Sequence, residues 1–242
     1  MPQRGVALLP LIIILALILG AGIFFWKPAV GPQVSKMSEP EKERISDHCD
    51  SFKFSHEFTD LKTISSIIPP VFRNSKGIMP TMLINIKGKV PLYMPTSGKL
   101  VQGSYHNEQG VTFYMWEVEA GCGITIVFDH VTDPVEKIKN LFPNAPRNDS
   151  RTDPFGVPLE MVGGELVGYT TGSVNAHNWN FAVYSSSEKN YLFEKGEFND
   201  RPKYYTQVCP LKYYDKPVKE AYEKLFVISD KDLSVEKNLC ES

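Results

Sequence analysis

The stretch Val111-Thr112-Phe113-Tyr114-Met115-Trp116-Glu117-Val118-Glu119, followed after Ala120-Gly121-Cys122-Gly123 by Ile124-Thr125-Ile126-Val127-Phe128, decides the fold. Side chains of a β-strand alternate between faces. That period puts Val111, Phe113, Met115 and Glu117 on one face and Tyr114, Trp116 and Val118 on the other. The segment after the glycines is rich in β-branched residues and forms a second strand. Two neighbouring strands of this kind predict a sheet with a buried face rather than a helical core.

Working outward, the same reading extends along the chain. Strands are expected at Met82–Ile86, Val90–Met94, Lys99–Tyr105, Val157–Met161, Glu165–Tyr169 and Asn178–Ser185, separated by turns such as Gly88-Lys89 and Pro95-Thr96-Ser97-Gly98. Phe52–Phe58 has the aromatic alternation of an edge strand. Asp133-Pro134-Val135-Glu136 opens a short helix closed by Pro143, Ser38-Glu39-Pro40-Glu41 starts another that runs to about Cys49, and a last one is capped at Asp215 with Pro217 in its first turn. On that last helix Val218, Ala221, Tyr222, Leu225 and Phe226 form one apolar stripe.

The N-terminus carries an apolar run without charge from Gly5 to Trp26, bounded by Arg4 and Lys27. Such a run spans roughly 33 Å as a helix, against a hydrocarbon core of about 30 Å. A single-pass transmembrane anchor with the N-terminus cytoplasmic and the remainder extracytoplasmic is the expectation, a cleaved signal peptide being the rival reading. The expected organisation is 1–27 anchor, 28–78 linker with helix and strand extension, 79–190 β-rich domain and 191–242 C-terminal helical cap.

The chain of 242 residues has 26 basic and 28 acidic residues and no polybasic patch, so nucleic acid is not an expected partner. Cys49, Cys122, Cys209 and Cys240 form an even set in a chain read as exported. One or two disulfides are expected, with the pairing open and no zinc-finger spacing.

Three stretches in order carry a resemblance: Val90–Val101; Ile124–Val131 with its Phe128-Asp129-His130; and Val162-Gly163-Gly164-Glu165-Leu166-Val167-Gly168 through Gly172 to Asn178-Trp179-Asn180-Phe181. The segment resembles the lysostaphin-like zinc metalloendopeptidases, and the fold this implies is mainly β, with short flanking helices. That family's zinc is held by a histidine, an aspartate and the second histidine of His-x-His. Here Leu61–Tyr105 contains neither histidine nor aspartate, Asn85 stands where the aspartate belongs, and His-x-His is replaced by Asn178 and Asn180. His130 matches an assisting histidine. Uncharged amides are poor zinc ligands, and adjacent residues such as Asp129 and His130 should point to opposite faces. The implied protein is a degenerate, inactive relative: no catalytic residue, no metal and no cofactor, with a ligand groove of His130, Asn85, Asn178 and Asn180. The expected function is a membrane-anchored domain that binds or scaffolds an envelope polymer or protein partner. The alternative is an active cell-wall (peptidoglycan) hydrolase or metallopeptidase with an atypical site involving His130 and zinc as its cofactor.

Overall fold

The structure is a computed structural model that describes residues 49–75, 77–230 and 233–241. Its strands are β1 (Ile64–Ile68), β2 (Phe72–Asn74), β3 (Gly77–Met79), β4 (Met82–Ile86), β5 (Val90–Tyr93), β6 (Gly98–Glu108), β7 (Val111–Glu119), β8 (Ile124–Val131), β9 (Asp133–Pro134), β10 (Asp153–Met161), β11 (Leu166–Thr170), β12 (Asn178–Ser185), β13 (Gln207–Val208), β14 (Ser229–Asp230) and β15 (Leu233–Val235). The expected mainly β architecture with short helices is what the described residues adopt. The main sheet runs in the order β1-β4-β12-β8-β7-β6-β10, with β13 also pairing with β12. Smaller sheets β5-β11-β9 and β14-β15-β2-β3 accompany it.

Alternation along each central strand separates two faces. Trp116, Val118, Phe128, Trp179, Phe181, Ile84 and Met82 point inward and meet Val90, Leu92 and Val167 of the β5-β11-β9 sheet in the main core. Trp116 and Trp179 are therefore core residues, 0 % exposed. On the outer face, Val127, Ala182 and Tyr184 pack with Met115 and Tyr204, while Leu83 packs with Ile68 and Phe72.

Phe58 binds the layers together. Its ring stacks on Phe181 at 4.4 Å and on Tyr222 at 4.6 Å, and meets Trp179 edge-on at 5.8 Å. Tyr222 and Val218 pack against the core from the helix Lys216–Glu223, which is shorter than expected: Leu225 and Phe226 of the expected stripe lie beyond its end and pack on the same core. Two disulfides complete the described part, Cys49–Cys122 and Cys209–Cys240, which settles the open pairing.

Several expectations need correction. Phe52–Phe58 is irregular rather than a strand, because Phe54 N–H donates to Tyr213 O, Ser55 N–H donates to Pro95 O, and the Phe52 and Phe54 rings pack on Tyr213. Asp133 and Pro134 pair with Tyr169 and Gly168, and the Asp133 carboxylate is drawn to Lys89 at 2.5 Å. The helix therefore begins only at Glu136 and lacks a side-chain cap. The first strand of the main sheet, Ile64–Ile68, falls in the segment read as an extension.

The transmembrane helix expected over residues 1–27 and the helix expected from Ser38 lie outside the described residues. Among the described residues no helix is long and apolar enough to cross a membrane. The α-helix Lys216–Glu223 has 8 residues, where a span takes about 20. The transmembrane part of the fold, the single-pass localisation, the membrane partner and the membrane-anchored function are corrected to this extent: no described helix carries them.

Both edges of the main sheet are modified. β1 is covered by the chain at Leu225–Val227, since Ile67 N–H donates to Leu225 O and Val227 N–H to Ile67 O. β10 carries Pro154 and Pro158, and its pairing with β6 skips between Pro154↔Gln102 and Leu159↔Leu100.

Phe58→Ala removes the shared ring of this stack and is expected to cost about 3–5 kcal/mol, measured as the loss of unfolding free energy in urea.

Candidate functional site

The site begins with an interruption of the β7–β8 ladder. Tyr114 pairs with Val131 and Trp116 with Phe128, so Met115 alone faces Asp129 and His130. One extra residue is a β-bulge, which breaks the strict alternation of faces. His130 takes a positive φ of 63°, a conformation that costs a non-glycine residue on the order of 1 kcal/mol or more. Local bonds hold it there. The His130 N–H donates to Asp129 Oδ1 at 2.7 Å, and Thr170 Oγ1 donates to the His130 carbonyl at 2.5 Å. The expectation that only one of Asp129 and His130 can serve the cleft is thus corrected: the bulge brings their side chains together.

His130 is then gripped at both ring nitrogens. Nδ1 lies 3.3 Å from Asp129 Oδ2, and Nε2 lies 3.3 Å from Glu108 Oε2. Asn180, paired with Asp129 in the ladder, donates from Nδ2 to Asp129 Oδ2 at 3.3 Å and stands 3.4 Å from His130 Nδ1. Glu108 reaches the ring from two strands away. It ends β6 beside Gln109 and Gly110, whose positive φ values of 51° and 83° match a two-residue I′ hairpin turn. Phe113 of the intervening β7 lies 5.0 Å from the His130 ring.

Burial by itself would lower the His130 pKa, but the Asp129 and Glu108 carboxylates reverse this and raise it to about 9. At neutral pH the ring is an imidazolium. Burial works against the Asp129 carboxylate as well, yet the His130 charge and the hydrogen bonds from His130 and Asn180 leave its pKa below the ordinary value. His106, only 4 % exposed, is the opposite case: burial, helped by the nearby His130 charge, holds its pKa down. Its Nδ1 lies 3.1 Å from Ser104 Oγ.

Asn85 and Asn178 face each other across the β4–β12 ladder, two positions along from Asn180. Asn85 Nδ2 donates to Ser66 Oγ at 2.9 Å, while Asn178 Oδ1 accepts from Ser173 Oγ at 2.8 Å. The loop into Asn178 requires Gly172. Its φ is +71°, and a Cβ there would stand 2.5 Å from Asn178 N. His177 is exposed on this loop, at φ 49°, and does not join the strip.

All four predicted groove residues therefore lie on the sheet, with His130 and Asn180 in contact and Asn85 and Asn178 paired beside them. Glu108 and Asp129 are the residues the sequence reading leaves out. Continuing the alternation of β6 as far as the Gln109-Gly110 turn would have brought in Glu108.

The arrangement does not fit a zinc ion. Both His130 nitrogens are engaged, and their two carboxylates lie on opposite sides of the ring, so they cannot converge on one ion. The remaining members are neutral amides. Among the described residues no group of three or more His, Cys, Asp or Glu side chains is placed to hold a metal.

No family model and no curated protein matches the chain. It is weakly similar in fold to a chain of the SpoIIQ–SpoIIIAH pore forming complex, at 12% identity and a TM-score of 0.41, covering 73% of this chain and 99% of that one. Helicobacter pylori Csd3 gives 13% identity and a TM-score of 0.38, over 72% of this chain and 38% of its own. Lysostaphin gives 13% and 0.31, over 67% and 51%.

The charge clamp has a pH signature. An unfolded histidine loses its proton near pH 6.5, whereas His130 in the fold keeps it to about 9. Its contribution is whole below about pH 6.5 and is lost as pH rises through about 9. Asp129 works in the other direction: its contribution is present above the ordinary carboxylate range and is lost as pH falls through its lowered folded value. Unfolding free energy is expected to fall by up to about 3 kcal/mol between neutral pH and high pH, measured by urea unfolding. Glu108→Gln is expected to shrink that slope and lower the His130 titration midpoint seen by NMR.

Proposed function

We propose that the chain is a degenerate lysostaphin-like domain that binds a ligand on the Asn85–Asn178–Asn180–His130 strip without catalysing its cleavage. The observation that carries this reading is the grip of Asp129 and Glu108 on both nitrogens of His130. A general base needs a free lone pair, and an imidazolium donating on both sides has none. The same geometry argues against the alternative of a hydrolase built on His130.

Binding chemistry remains available beside the clamp. The bonds to Ser66 and Ser173 use Asn85 Nδ2 and Asn178 Oδ1, which leaves Asn85 Oδ1 and Asn178 Nδ2 as the ends of the two amides to offer a ligand. An acceptor and a donor on facing ladder positions match a secondary amide, which offers one of each. Fixing the far end of each amide also reduces the conformational entropy lost on binding.

The test uses an uncharged capped dipeptide, N-acetyl-alanyl-alanine methylamide, titrated into the isotope-labelled chain. The Asn85 and Asn178 side-chain amide resonances are expected to shift saturably, with the peptide intact and the response unchanged by chelator or added zinc. Asn85→Ala is expected to weaken binding roughly tenfold, the worth of one hydrogen bond. Cleavage of the peptide would make the chain an enzyme, and zinc-dependent binding would show a metal site; either outcome sinks the proposal.

A further inference from the structure

A second site lies away from the His130 strip, where β13 meets the C-terminal segment. A cavity of about 240 Å³ is lined by Glu188, Lys189, Gln207, Lys212 and Lys219, with the Cys209–Cys240 disulfide in its wall. That volume corresponds to roughly eight water molecules at about 30 Å³ each. The disulfide fixes the two sides, tying β13's flank to the C-terminal segment with 4.9 Å between Cα atoms.

Two features of the lining point to a ligand. Three lysines stand against one glutamate, so the cavity carries an excess of positive charge even though Lys212 pairs with Glu188 and Lys219 with Glu223 at 3.6 Å. Gln207 is 0 % exposed, and neither its Nε2 nor its Oε1 has a hydrogen-bond partner among the described residues. Its backbone is held on both sides, paired with Tyr184 in the ladder and accepting from Asn190 Nδ2 at 3.0 Å. A buried carboxamide with both groups unmet is uncommon in folded proteins and calls for a partner.

We infer that this cavity binds an acylated α-amino acid carboxylate, free or as the C-terminal residue of a peptide. The carboxylate is taken by Lys212 and Lys219, and the adjoining secondary amide pairs with Gln207, its C=O accepting from Nε2 and its N–H donating to Oε1. Glu188 disfavours a second negative charge and so limits the ligand to one carboxylate.

The experiment titrates the full isotope-labelled chain with N-acetylglycine and with its neutral twin, N-acetylglycine amide. A saturable shift of the Gln207 side-chain NH₂ resonances is expected with the acid. The neutral twin, and the Lys212→Gln/Lys219→Gln variant titrated with the acid, are expected to bind at least roughly tenfold more weakly. Both substitutions are at partly exposed positions, and the unchanged Asn85 and Asn178 resonances report that the fold is kept. A pentapeptide with a free C-terminus that binds more tightly than N-acetylglycine identifies a chain end as the source, and one that binds less tightly identifies the free acyl amino acid. Absence of a saturable shift at Gln207, or an equal response to the neutral twin, overturns the assignment.

Discussion

The extra residue in β8 is the constraint on which the rest of the site depends. Phe128 and Val131 are both buried in the main core although they are three apart. An unbroken strand would send them to opposite faces. The bulge restores Val131 to the interior and leaves Asp129 and His130 together on the far side. The positive φ at His130 is the local cost, and the Asp129 carboxylate offsets it by bonding the His130 backbone and facing its ring at once. A single carboxylate thus fixes both the conformation of the chain and the protonation of the side chain.

The electrostatics follow from this geometry. Three strands, β6, β8 and β12, each contribute to one cluster, and the cation at its centre is satisfied from both ends. Neutral amides complete the strip where the resemblance implies an aspartate and the histidines of His-x-His. Amides can be held half-buried with one partner each, as Asn85 and Asn178 are by two serines. Ionised groups in the same places would need full charge compensation. On the proposed reading the strip recognises its ligand by hydrogen bonding, and the cation serves the scaffold.

Much of this was legible in the sequence where period-two alternation is uninterrupted. β7 and β12 have the expected bounds, and Asn178 and Asn180 share a face because they are two residues apart. The bulge was not legible, since Phe-Asp-His-Val carries no glycine or proline to mark it. Glu108 escaped because the strand expected to end at Tyr105 runs on to the turn. Phe52–Phe58 shows the reverse error, an alternating pattern produced by aromatic packing rather than by a strand. Asp133 has the look of a helix cap but spends its backbone on Tyr169 and its carboxylate on Lys89. The apolar run before Lys27 is a statement about transfer from water, and the described residues contain no helix that matches it.

The treatment of the sheet margins has a consequence for self-association. A free edge strand offers a row of donors and acceptors on which another chain can grow, the usual start of fibrils and of strand exchange. Here one margin is occupied by the chain's own Leu225–Val227, and the other lacks the amide hydrogens of Pro154 and Pro158 and is bent out of step with β6. Stacked copies would find no continuous ladder to extend at either margin, so a domain this rich in strands is guarded against edge-to-edge growth even when crowded.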